Sequence, residues 1–184
     1  MHAIPGPGTS AGVSAGPEPG AVPLFLSGEA LLSAIRGHHI GIHPLAKLAH
    51  EFGLMYQQRL TTFGNECRCR RDELVLAVDV WVADHLPVPH PAATMHTETL
   101  GTVIARLAEA QVHAYHLLMT IDPADPAVHA AWYQLAELVD GYTDLTTDVA
   151  QRARRLPALE DHWCRSPDSP TKMRCWPPAE ASPT

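Results

Sequence analysis

His96 and Glu98 stand two residues apart in "MHTETLGTVIARL", residues 95 to 107, just ahead of an apolar helical pattern. An imidazole and a carboxylate at a helix start are the right types for a base with its partner, or for two metal ligands. The positive end of the helix dipole there favours an anionic group. In that reading His96 is base or ligand, Glu98 is ligand or orienter, and Arg106 or Arg59 neutralises an anionic substrate. The chemistry would be a metal- or anion-assisted hydrolysis or group transfer. A plainer reading competes with it. Thr97 caps the helix, and Glu98 is a first-turn acid that complements the dipole. That explains Thr97 and Glu98 and leaves His96 without a role.

Twelve histidines invite a metal reading. A zinc site needs three or four converging ligands, and the chain holds no H-E-x-x-H. His43 or His116 would have to complete a set with His96 and Glu98 across helices. The Glu-x-x-His pattern of di-metal bundles is absent: Val112 follows Glu109 by three residues, and Leu54 follows Glu51. Cys67 and Cys69 form C-x-C, which on a helix turns the two thiols about 200 degrees apart. Cys164 and Cys175 lie near the end of the chain. No secretory pattern opens the sequence, so reduced thiols and a cytoplasmic protein are expected. There is no G-x-S-x-G, glycine-rich phosphate loop or serine-lysine pair. No cofactor is expected.

Three polar residues fall on apolar sides of helical patterns. Gln111 projects near the centre of one, Arg59 lies on the apolar side of another, and His85 continues the Leu74, Val78, Trp81 stripe. Buried polar groups need partners. These residues set helix register, or with His116 they line a small pocket or a subunit interface.

The elements that must position these residues are all helical. "SGEALLSAIRG" begins at Ser27 and stops at Gly37, a short helix with cap residues at both ends. A second helix opens at Pro44 and places Leu45, Leu48, Phe52, Met55, Tyr56 and Phe63 on one face. A third, within "NECRCRRDELVLAVDVWVADHL", is apolar most of the way round, the mark of a central or interface helix. A fourth is expected from near Thr97 to about Thr120, and a fifth from about Ala127 to Arg155. Gly141 lies inside the fifth, where the helix is expected to bend or pack closely. The cluster Arg152, Arg154 and Arg155 would then meet the negative end of its dipole. No strand is expected.

The organisation that follows is all-α: a bundle of four long helices plus one short N-terminal helix, over residues 23–156. Residues 1–22 and 157–184 are rich in Pro, Gly, Ala and Ser and are expected to be disordered, the second with local packing of Trp163 and Trp176. The apolar fraction of 46% suits a globular core, and aromatics at 6% leave it to aliphatic side chains. A net charge of -7 argues against binding a nucleic-acid backbone, and no apolar run is long enough to span a membrane.

Four segments, "HPLAKLAHEFGL", "RDELVLAVDVWVADHLP", "HTETLGTVIARLAEAQVHAYHLL" and "HAAWYQLAELVDGYTDL", resemble the actinobacterial branch of a helical family known as domain of unknown function 4254. The resemblance covers about residues 24 to 156, and its strongest piece is His96 to Leu107. The family reads Glu-Thr-x-Gly, then a polar residue before Arg-Leu. Here that position is Ala105, so an acidic side chain there is missing. The resemblance implies an all-α fold and no particular activity. It points to the segment from Glu98 to Gly101.

The leading expectation is a binding or interaction protein without catalysis, forming a homo-oligomer through its third helix and open to a further protein partner. The alternative is the small hydrolase or transferase centred on His96 and Glu98.

Overall fold

The computed structural model describes residues 23–61 and 66–158, the side chains of 66 and 67 excepted. The expected disorder of residues 1–22 and 159–184 concerns segments outside the described residues, as do Phe63, Trp163, Trp176, Cys164 and Cys175. The chain is mostly helical. Its elements are α1 (Gly28–Ile35), α2 (Pro44–Thr61), α3 (Glu66–His85), β1 (Thr94–Met95), α4 (Leu100–Thr120), α5 (Pro126–Ala150) and β2 (Arg154–Arg155). No helix among the described residues is long and apolar enough to cross a membrane.

Local chemistry accounts for the first two helices. Ser27 holds extended backbone, and its Oγ accepts from the Ala30 N–H at 3.2 Å, so α1 starts there. Gly37 takes a φ of +83°, and the N–H groups of Gly37 and His38 return to the carbonyls of Ala34 and Ser33. Helix α2 opens at Pro44 behind His43. The His43 Nδ1 accepts from the Leu45 N–H at 3.2 Å, which leaves Nε2 to donate to the Pro23 carbonyl at 3.1 Å.

Helix α4 packs against α1, α2, α3 and α5, so the core forms around it. Ile104, Leu107 and Ala108 of α4 are buried with Phe52 and Tyr56 of α2, Val78 of α3 and Tyr142 of α5. Two close approaches fix the crossings. A β-carbon on Gly53 would stand 2.1 Å from the Ile35 carbonyl oxygen, and one on Gly101 would stand 2.4 Å from that of Val75. Backbones that close require glycine on one side. The Tyr142 hydroxyl donates to the Leu26 carbonyl at 3.0 Å and ties the segment before α1 to α5.

Five expectations are corrected. The fourth helix starts at Leu100 with Thr99 as its cap, and not at Thr97. Residues 94 and 95 are held extended by parallel pairing with 154 and 155, and the His96 N–H donates to the Arg155 carbonyl at 2.9 Å. The chain is therefore free to coil only after that pairing ends. This pairing is also a small sheet where no strand was expected. The fifth helix runs from its Asp125 cap only to Ala150, because Arg152 takes a φ of +63° and turns the chain back. The arginines beyond it do not cap a dipole. Arg152 donates to the Val88 carbonyl and Arg154 pairs with Asp148 at 2.9 Å. Gly141 is exposed, α5 continues through it, and no atom of the described residues lies within 4 Å of where a β-carbon would sit. The close packing expected there is absent.

Cys69 is disulfide-bonded, with a partner beyond the described side chains. This overturns the expectation of a reduced thiol at that position and removes the thiol argument for a cytoplasmic setting.

Candidate functional site

The Glu-Thr-Leu-Gly segment, Glu98 to Gly101, is built as a helix entrance. The Thr99 Oγ1 accepts from the Thr102 N–H at 3.3 Å. The next free donor, the Gly101 N–H, is met from another helix: Asp79 of α3 accepts it on Oδ1 at 2.8 Å. Gly101 is needed twice here, since its missing β-carbon clears both the Val75 carbonyl and the Asp79 carboxylate. Glu98 pairs with Arg106 two turns on. The His96 Nδ1 lies 3.2 Å from the Glu98 N and 2.9 Å from the Glu98 O, so this nitrogen is committed to the backbone of the same turn.

Asp79 is buried, and desolvation pushes its carboxyl above the ordinary value, partly offset by the Thr99 hydroxyl and the Gly101 N–H, which favour the charged form. The folded state therefore holds more protons than the unfolded one between those two values. Stability contributed by Asp79 must fall as pH rises through that window. Asp79→Asn keeps an acceptor for Gly101 and has no charge to bury. Its stability relative to the parent is expected to improve steadily from acid toward neutral pH, read by urea unfolding at a series of pH values. A difference that stays constant with pH would sink this account.

A separate concavity opens between the end of α1, α2 and the second half of α4, with a volume of about 400 Å³. Ile35, Gln111 and Val112 are buried at its floor. Leu60, Tyr115 and Met119 form an exposed apolar rim, and Arg36, His38 and His116 bring basic side chains. Gln111 is 1% exposed, and neither its Oε1 nor its Nε2 has a hydrogen-bond partner among the described residues.

A family described as "Protein of unknown function (DUF4254)" matches residues 65–158, just over half of the chain. The chain belongs to this family. Neither a curated protein nor a solved structure matched it. The DUF4254 match spans α3, β1, α4, α5 and β2, and so contains both the Asp79–Gly101 clamp and Gln111. Helices α1 and α2, which supply the other walls of the concavity, precede the matched residues.

Of the residues singled out from sequence, Gln111 and His116 line the concavity. Arg59 does not; it is exposed and pairs with Glu109 at 2.9 Å. His85 stacks on Trp81 at a ring separation of 4.5 Å, and its Nδ1 lies 2.7 Å from the Trp81 carbonyl. His43 spends both ring nitrogens on backbone groups. His96 and Glu98 share one turn, Arg106 reaches Glu98 from two turns on, and none of the three lines the concavity. No three His, Cys, Asp or Glu side chains among the described residues stand close enough to hold a metal ion.

Sequence reasoning missed Asp79, Arg36, His38, Tyr115 and Met119. Asp79 carried a readable signal: a carboxylate inside "LAVDVWV" on a helix apolar most of the way round. It has to be buried or sit on the one exposed seam, and burial demands a donor such as Gly101. Arg36 and His38 flank the Gly37 cap and read only as a loop.

Proposed function

We propose that this protein is a self-associating helical-bundle binding protein without catalysis of its own, and that it recognises a small molecule in the concavity between α1, α2 and α4. One observation carries the reading. Gln111 lines a cavity of about 400 Å³, and both polar atoms of its carboxamide are buried with no hydrogen-bond partner among the described residues. Burying an amide without hydrogen bonds costs about 1–3 kcal/mol, and a ligand bearing a donor and an acceptor would recover it once the side chain turns toward the cavity. The volume falls in the range of small-molecule pockets, about 300–1,000 Å³. His96, Glu98 and Arg106 have local partners already, so the recognition chemistry is assigned away from them.

The same reading places self-association on the outward face of α3, where Val80 is 45% exposed and Leu76 is half-buried. Two measurements on the full chain test the proposal. In a ligand-observed NMR screen of small fragments, some signals should appear with the parent and vanish with Gln111→Met. A screen in which no hit depends on position 111 would end the pocket reading. Sedimentation velocity should give a species larger than one chain at high concentration, and a clean monomer would remove the self-association.

A further inference from the structure

We infer that the concavity takes a small amphipathic acid: a carboxylate on an apolar body that also carries an amide-type group. This rests on the pocket reading above and adds the chemistry of its occupant. The first observation is charge. The chain carries a net charge of -7, yet no Asp or Glu among the described residues lines this site. Its ionisable lining is Arg36, His38, His116 and the Tyr115 phenol. A lining that holds the Arg36 guanidinium and no carboxylate among the described residues favours an anionic occupant over a cationic one.

The second observation is that Arg36 is uncommitted. Arg59, Arg70, Arg71, Arg106 and Arg154 all pair with carboxylates. Arg36 makes no ion pair and no side-chain hydrogen bond among the described residues, and it stands at the exposed end of α1. A planar guanidinium fork matches a carboxylate with two parallel hydrogen bonds.

The third observation is the gradient of polarity across the site. Arg36 and the two histidines are exposed, Leu60 and Met119 are apolar and partly exposed, and Ile35 and Val112 are buried. Gln111 lies among the buried group with a free donor and a free acceptor. An occupant that satisfies all of this has its acid at the mouth, an apolar chain along the aliphatic walls, and a donor–acceptor group that reaches Gln111. A simple fatty acid would leave the amide open, and a hydrophilic diacid would leave the walls unfilled.

The probe is N-hexanoylglycine, which carries a carboxylate, an amide and a short alkyl chain. Its methyl ester removes the charge, and heptanoate removes the amide. Binding is measured by isothermal titration calorimetry with the full chain, its Arg36→Met variant and its Gln111→Met variant, each checked for an intact melting transition. N-hexanoylglycine should bind, and more weakly as salt is raised. Loss of a charge-assisted pair weakens binding by about tenfold or more, so the ester with the parent, and the acid with Arg36→Met, should each show that loss. Heptanoate with the parent, and the acid with Gln111→Met, should also be weaker. If ester and acid bind alike and both depend on Gln111, the anion inference is overturned and the pocket reading stands. If N-hexanoylglycine fails to bind while fragments still depend on Gln111, the inference fails in the same way. If neither the probe nor any fragment depends on Gln111, both fall.

Discussion

Gly101→Ala is expected to destabilise the protein by about 3 kcal/mol or more, near the upper end of what overpacking costs. A β-carbon there would sit 2.4 Å from the Val75 carbonyl oxygen and 2.9 Å from the Asp79 Oδ1. One of those atoms is backbone within α3 and cannot rotate away, so α3 and α4 must separate. Separation stretches the hydrogen bond from the Gly101 N–H to Asp79 and strands a buried carboxylate. The gain in helix propensity from glycine to alanine, about 1 kcal/mol, is too small to offset this. Gly141→Ala is the internal control. It lies inside α5 with nothing within 4 Å, so propensity acts alone and stability should rise by about 0.5–1 kcal/mol. Chemical unfolding of both variants with the parent reads the two signs in one experiment. If the variants shift the midpoint equally, the close crossing of α3 and α4 is wrong.

Gln111→Met should move stability the other way, by about 1–2 kcal/mol in the stabilising direction. Methionine matches the length of glutamine and carries no polar group that needs a partner. The parent side chain is 1% exposed and neither amide atom is hydrogen-bonded among the described residues, so no interaction is lost. What disappears is the cost of burying an unanswered amide. Gln111→Ala should instead destabilise, because it leaves a void on the buried face of α4, which Ile104 and Leu107 share. Thermal melts of the three proteins decide it. A loss of more than about 1 kcal/mol in Gln111→Met would mean that the amide already has partners in the unliganded protein, and the site would lose its central argument. A gain would mark a residue kept at a cost to stability, the pattern found where function is served.

The sequence by itself determined the helices and several of their ends. Ser27, Gly37 and Pro44 act through their own backbone preferences and nearest donors, so their effect is local and readable in order along the chain. The apolar spacing also determined which faces turn inward, with Phe52, Val78, Ile104 and Tyr142 all buried as a period of 3.6 requires. The resemblance carried by His96 to Leu107 led to a family that the full comparison shows.

Only the tertiary structure decided the rest, because each remaining feature joins residues far apart in the chain. The start of α4 at Leu100 depends on β1 meeting β2, some sixty residues later. The role of Gly101 depends on Asp79 and Val75 in a different helix. Arg59 faces Glu109 across α2 and α4, and that pair, not the helical wheel, places it at the surface. The opening motif gave the same lesson. The types and spacing of His96 and Glu98 suit catalysis, but the fold turns the imidazole onto its own turn and the carboxylate onto Arg106. Gln111 was legible as a polar residue on an apolar face. That its amide meets no partner among the described residues, beside a cavity with basic groups at the mouth, follows from the convergence of three helices, which no periodicity within one of them encodes.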